Sequence, residues 1–469
     1  DGYDDGYDDG YDDGYDDGDD DGDDGSGSGG SSGGGSGGSG SSAGAGSSAA
    51  SVTVTTGAVK VDGSGNAAIT KDILSAPAAQ VAGVAFVVPV EFGTANRTAY
   101  ITLSAEALDM LVASGAKRFT IDTDCMADFG FPLETLRELD GRTSGDLILK
   151  LEAVAVPAQA SAAVGSRPIY DITLWEVKGT TQTQITSLNG KTVSIAIPYT
   201  PAEGESTGNL YAVCADGTED VEWITKSSYD PDQKAVLLEA AHLSIYGVGY
   251  KPLSPSFTDI NGHWAKEDIL FAAGRGLFLD TEESTFGPDT PLTRGMLVTA
   301  LGRMEGVDPV AYQNGTFTDV EAGAYYAPYV NWAVSKGIVS STTSTTFAPD
   351  SSITREQMAV IMKNYTDKMG YSIPKTLESA TFADNAQISS WAQEAVKTMQ
   401  QAGILSGKTG NRFDPKDNAT RAEAAAVLHR FVEVNIDPQT ANGWRQNDSG
   451  EWSYYQDGRP GRGLMFKDR

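Results

Sequence analysis

The last third of this 469-residue chain states one pattern three times, and that repetition constrains the fold more than any other feature. Phe257-Thr258-Asp259-Ile260, Phe317-Thr318-Asp319-Val320 and Phe382-Ala383-Asp384 open segments that close on Leu292-Thr293-Arg294, Ile353-Thr354-Arg355 and Ala419-Thr420-Arg421. Opening Asp and closing Arg are 35, 36 and 37 residues apart, and successive openings 60 and 65, so the segments form an array. Within each copy the spacing predicts helix, loop, helix. Trp264 to Ala273 is apolar at helical intervals and stops at Gly276-Leu277-Phe278; the other copies run Tyr326 to Gly337-Ile338-Val339 and Trp391 to Gly403-Ile404-Leu405. A loop with Phe286-Gly287-Pro288-Asp289, Phe347-Ala348-Pro349-Asp350 or Phe413-Asp414-Pro415 turns the chain.

The second helix is expected to start at the threonine. Thr420-Arg421-Ala422-Glu423 and Thr354-Arg355-Glu356-Gln357 read as capping boxes, whereas Thr293-Arg294-Gly295-Met296 keeps only the threonine. In each copy the arginine falls in the first helical turn, where a cation gains nothing from the helix dipole. Arg294, Arg355 and Arg421 therefore have another duty, either contact with an anionic ligand or an ion pair to a neighbouring copy.

Together these features resemble three tandem S-layer homology modules, at 253–312, 313–377 and 378–436. The resemblance implies an all-α spindle with three-fold pseudo-symmetry. It also implies noncovalent anchoring to a bacterial surface through secondary cell-wall polysaccharide, often pyruvylated, in grooves between modules. An arginine fork suits a ketal carboxylate, and an aromatic face suits a sugar ring. Arg294, Arg355 and Arg421 are thus the anion candidates and Trp264, Tyr326 and Trp391 the stacking candidates, with helix core as the competing duty of the aromatics. Asp259, Asp319 and Asp384 either cap a turn or line the groove.

The opposite end differs in character. Residues 1–24 hold 14 aspartates and no basic residue, and 25–50 are only Gly, Ser and Ala, so 1–50 is expected to be a disordered acidic arm. The net charge is −30; without those 14 acids the remaining 50 still exceed 34 Lys and Arg. Such a balance argues against nucleic acid as a partner. The start, without Met and inside a repeat, reads as truncated or processed. No apolar run reaches the roughly 18 residues needed to span a bilayer. Two cysteines, Cys125 and Cys214, and three scattered histidines suggest no disulfide framework, metal site or cofactor, although one Cys125–Cys214 bridge is open.

Residues 51–252 alternate in the manner of strands at 51–55, 118–122, 169–174 and 193–197, with short helices at 104–111 and 132–139, and are expected to form a mainly-β sandwich. Its end, His242-Leu243-Ser244, resembles the cleavage tripeptide of autoproteolysis-inducing domains, in which a histidine deprotonates the hydroxyl that attacks the preceding carbonyl. An ordinary closing strand is the competing reading. The tail, 437–469, with Trp444, Trp452 and Tyr454, resembles one copy of the aromatic hairpin of choline- and glucan-binding wall proteins.

The sequence reading is a secreted, noncatalytic cell-surface protein anchored to wall polysaccharide and able to assemble into a surface layer. The alternative is a wall-anchored enzyme, either self-cleaving at His242-Leu243-Ser244 or with a catalytic part upstream.

Overall fold

The computed structural model describes residues 53–78, 84–93, 97–217, 220–254, 256–279, 284–315 and 317–461. The expected disordered arm, 1–50, lies outside the described residues.

The expected strands and helices of the middle region are present, at Thr53–Thr55, Arg118–Thr123, Ile169–Lys178, Val193–Pro198, Ala105–Ala113 and Leu133–Arg142. They belong to two eight-stranded sheets. The first runs Thr53–Thr55, Ala85–Glu91, Arg118–Thr123, Asp128–Pro132, Val193–Pro198, Ala235–Ala240, Ser227–Asp230, with Val59–Lys60 beside Ala85–Glu91. The second runs Glu222–Trp223, Leu210–Cys214, Ile245–Tyr250, Ile169–Lys178, Asp146–Ala153, Thr98–Leu103, Asn66–Ile69, with Thr181–Ile185 beside Ile169–Lys178. Each sheet draws strands from both halves of the region. One hydrophobic core joins them, with Phe86, Phe119 and Phe129 from the first, Ile101, Leu149 and Ile172 from the second, and Leu108, Leu111, Leu136 and Leu139 from the helices. The earliest strands pair in parallel, Thr53–Thr55 and Arg118–Thr123 both with Ala85–Glu91, and Asn66–Ile69 with Thr98–Leu103. Parallel partners need a crossover between them, which the helix Ala105–Ala113 supplies ahead of Arg118–Thr123.

Strand burial tells where the rest of the molecule sits. Asp146–Ala153 alternates buried and half-exposed residues, as a strand covered on one face should, whereas Val193–Pro198 and Ala235–Ala240 are buried almost throughout. The reason is a second cover: Ala196, Ala235 and Leu237 belong to the core of the repeat helices.

Each repeat contributes two helices: Lys266–Gly274 and Arg294–Met304, Ala327–Ser335 and Arg355–Met369, Gln393–Gln401 and Arg421–Ile436. The first helices end at Gly276, Gly337 and Gly403, whose φ values of 68°, 69° and 78° are left-handed. The next amides, of Leu277, Ile338 and Ile404, return to Ala272, Ala333 and Met399 carbonyls in a Schellman closure. The second helices start as expected. Thr354 and Thr420 form complete capping boxes with Gln357 and Glu423, and Thr293 caps the Met296 amide alone.

Just before these caps, the repeats join through a closed ring of main-chain hydrogen bonds. Leu292 N donates to Ala419 O (2.8 Å), Ala419 N to Ile353 O (2.9 Å), and Ile353 N to Leu292 O (3.0 Å). A three-stranded hairpin, Gly443–Gln446, Trp452–Gln456 and Arg459–Pro460, follows the last helix.

Candidate functional site between the repeats

The position after the loop phenylalanine adopts left-handed backbone in every copy: Gly287 (φ 68°), Ala348 (58°) and Asp414 (52°). Only glycine takes this without strain. The turn is gripped from its own repeat by the opening aspartate. Asp259 accepts from Phe286 N (3.0 Å) and Gly287 N (2.7 Å), Asp319 from Phe347 N (2.9 Å) and Ala348 N (2.7 Å), and Asp384 from Phe413 N and Asp414 N (both 2.8 Å). Desolvation alone would raise these carboxyls, but the amide bonds outweigh it and hold all three below the ordinary aspartate range. The three aspartates therefore serve as turn caps.

The same turn is gripped from the neighbouring repeat by the arginine. Arg294 donates through Nε to Phe347 O (3.0 Å) and through Nη2 to Ser340 O (2.8 Å). Arg355 reaches Phe413 O (2.7 Å) and Ser406 O (2.8 Å), and Arg421 reaches Phe286 O (2.9 Å) and Leu279 O (2.6 Å). Each guanidinium also lies over the ring of the phenylalanine whose carbonyl it binds, at 4.6, 5.0 and 4.4 Å. First repeat grips second, second grips third, and third grips first. An arginine stands in all three copies at a helix position that disfavours a cation and there ties one repeat to the next, mainly by main-chain carbonyls rather than the ion pair considered from sequence.

The joints differ. Arg355 is fully buried and also lies 3.1 Å from Glu423 and 3.0 Å from Asp448 of the hairpin. These two contacts are ionic, not aligned hydrogen bonds. Desolvation opposes the charge on Arg355, yet the two carboxylates raise its affinity for its proton. With no exposed surface, Arg355 as it stands presents nothing to a polysaccharide. Arg421 is 4% exposed and Arg294 is half-buried. Among the aromatic candidates, Trp391 is 52% exposed, Trp264 and Tyr326 are half-buried against the repeat core, and the Tyr326 ring lies 3.3 Å from where a Cβ on Gly295 would stand. Gly295, in the first turn of the second helix of that repeat, thus makes room for the aromatic side chain of the next repeat, while the missing half of the capping box falls at Met296.

The ion pairs that complete the second joint are not legible in the sequence, where Glu423 reads as a helix cap and Lys416 as part of a turn: Lys416 with Glu356 (2.6 Å), Lys408 with Glu423 (2.9 Å), and Asp448 with Arg430 (2.8 Å). Asp448 occupies an Asn-Asp-Ser-Gly turn that reads only as a loop.

A second polar cluster seats the repeats on the sheets. Arg275, at the end of the first repeat helix, donates to the carbonyls of Thr225 (2.9 Å), Gly208 (3.2 Å), Leu210 (3.0 Å) and Ser227 (2.7 Å), and lies 3.9 Å from the rings of Tyr211 and Phe271. Desolvation lowers its pKa to about 10. Nearby, Ser228 Oγ is 2.7 Å from His429 Nε2, and His429 Nδ1 is 2.7 Å from Asp268. The connectivity is that of a nucleophile, base and acid, but Ser228 has no exposed surface and also lies 3.3 Å from Glu433. This cluster is an internal joint.

At the expected cleavage tripeptide, Ser244 Oγ donates to Asp216 Oδ2 (2.8 Å), and among the described residues no hydrogen bond links it to His242. Cys125 and Cys214 are free thiols, so the bridge left open by the sequence does not form. In the tail Trp444 and Tyr454 meet edge to face at 5.4 Å, and Trp452 is 46% exposed. No described helix is long and apolar enough to cross a membrane.

The repeated Asp-loop-Arg architecture coincides with matches to the S-layer homology domain at residues 256–295, 316–359 and 381–425. The chain carries three tandem S-layer homology domains. It is 30% identical over 204 residues to an amylopullulanase of Thermoanaerobacterium thermosulfurigenes, covering 44% of this chain and 11% of that protein. It is 27% identical over 175 residues to an S-layer protein of Bacillus thuringiensis subsp. finitimus (37% and 21%), and 26% over 151 residues to a cellulosome-anchoring protein of Acetivibrio thermocellus (32% and 33%). The matched segments thus span a third or less of these three relatives.

Proposed function

We propose that this chain is a bacterial surface protein held noncovalently on the cell wall by its three S-layer homology domains, which bind secondary cell-wall polysaccharide, pyruvylated or otherwise acidic. The observation that carries the reading is the triple domain match, shared with an S-layer protein and a cellulosome-anchoring protein. The closed cycle of arginine joints supports a three-fold pseudo-symmetric spindle with one groove per joint. The groove beside Arg294 and Tyr326 and the one beside Arg421 and Trp264 are the binding grooves. There the arginines hold the turn that faces the ligand, and the aromatic rings supply the sugar-stacking surface. Asp259 and Asp319 keep those turns in place. At the second joint Asp448 already compensates Arg355, while Trp391, the most exposed of the three aromatics, and Asp384 line a third groove. The middle region is a noncatalytic sandwich presented by the anchor, and copies of the chain assemble laterally on the wall.

The test is retention of the full chain on purified Gram-positive walls before and after acid extraction of the secondary polysaccharide. Retention should vanish on extraction and fall about tenfold, or 1.4 kcal/mol, in Arg294→Ala or Trp264→Ala. Retention that survives extraction would remove the polysaccharide from the proposal.

A further inference from the structure

The C-terminal hairpin does more than supply Asp448. Strand alternation places Arg445, Ser453 and Tyr455 on one face, Arg445 opposite Ser453 in register, and Trp444 and Tyr454 on the other. The first face borders a cavity of about 230 Å³ whose opposite wall belongs to the third repeat and includes Lys408 and Asn411. This volume is below the roughly 300–1,000 Å³ of drug-sized ligand sites, and suits one ring rather than a chain.

The lining mixes signs. Arg445 is paired with Glu433 through Nη1 (3.1 Å). Lys408 is paired with Glu423, which leaves ammonium protons for another acceptor. Glu451, an exposed carboxylate, contributes an acceptor, and Ser453 a hydroxyl that both donates and accepts. Lys408, Arg430 and Arg445 are each already matched by a carboxylate, Glu423, Asp448 and Glu433, so an anion would find no uncompensated cation and would meet Glu451, while a cation would meet the three bases. A neutral polyol satisfies all of them, since each of its hydroxyls gives one hydrogen bond and takes others, and the Tyr455 ring provides an apolar wall.

We propose that the cavity between the C-terminal hairpin and the third repeat is a binding site for one neutral pyranose ring, separate from the grooves beside Arg294 and Arg421. If the ring comes from a wall glycan, the site adds a contact to the anchor; the chemistry of recognition is the same for a free sugar.

The experiment is saturation-transfer NMR on the full chain with glucose, galactose, N-acetylglucosamine and N-acetylmannosamine, repeated with Ser453→Trp, which fills the cavity from an exposed strand position. A second variant, Glu451→Ala, removes an acceptor without filling space. Transfer to at least one sugar is expected, with affinity about tenfold weaker in both variants while the thermal midpoint is unchanged. No transfer to any of the four sugars, or transfer that Ser453→Trp leaves intact, would overturn the site. Wall retention is measured in parallel: its loss with sugar transfer preserved counts against the anchoring reading alone, because the two measurements report different surfaces.

Discussion

Asp448 of the hairpin lies 3.0 Å from the Arg355 guanidinium of the second repeat, and neither side chain has exposed surface. Its other oxygen is 2.8 Å from Arg430 in the last helix. One carboxylate outside the repeats thus compensates two buried arginines inside them, and the hairpin is part of the anchor's structure.

Removal of that carboxylate should be costly. Asp448→Ala leaves Arg355 with Glu423 as its remaining carboxylate and takes the carboxylate partner from Arg430, and breaking buried pairs typically costs about 3–5 kcal/mol. Urea denaturation should show a loss of that order, and a loss below about 1 kcal/mol would mean that water replaces the carboxylate.

Arg275 should determine whether sheets and repeats melt together. Arg275→Met keeps the apolar stem but deprives four carbonyls of the sheet region of their donor. Calorimetry should resolve two transitions where the parent shows one, with the penalty for unmade bonds about 1 kcal/mol each. A single transition in the variant would assign the coupling to the apolar contact through Ala196, Ala235 and Leu237.

The left-handed turn predicts a stabilising substitution. Ala348 stands at φ 58° where the first repeat has Gly287, and a side chain there costs about 1–2 kcal/mol. Ala348→Gly should raise the denaturation midpoint, offset in part by the greater freedom of glycine in the unfolded chain. A lowered midpoint would show that this turn bears no strain.

Stability should also depend on Asp128, which borders a cavity beside Asp122 and Asp437. Burial, above all, raises its pKa to about 7, the Thr123 amide opposes the shift, and Asp122 adds to it. The folded state therefore holds a proton between the unfolded value near 3.9 and about 7. The contribution is complete below the unfolded value and is lost as pH rises through 7. Asp128→Asn should be stabilising at pH 8 relative to the parent, by at most about 4 kcal/mol at 1.36 kcal/mol per unit, and neutral near pH 4. Equal effects at both pH values would exclude a titrating Asp128.

Local rules made the repeats legible. The Thr-Arg-x-Glu starts, glycine stops and Phe-x-Asp openings each encode a cap or turn closed within about 30 residues. The strands Arg118–Thr123 and Ile169–Lys178 were visible for the same reason, through alternation. By itself the sequence therefore determined three helix-loop-helix units of the S-layer homology type, a β-rich region before them, and an aromatic hairpin after them. What the arginines hold was decided only by tertiary structure, because Arg421 meets Phe286 across 135 positions of the chain. Parallel pairing of the first strands, the second cover on Val193–Pro198, and the approach of Asp448 to Arg355 belong to the same class. Each couples residues whose proximity depends on how whole layers close over one another, and no periodicity or cap along the chain carries that information.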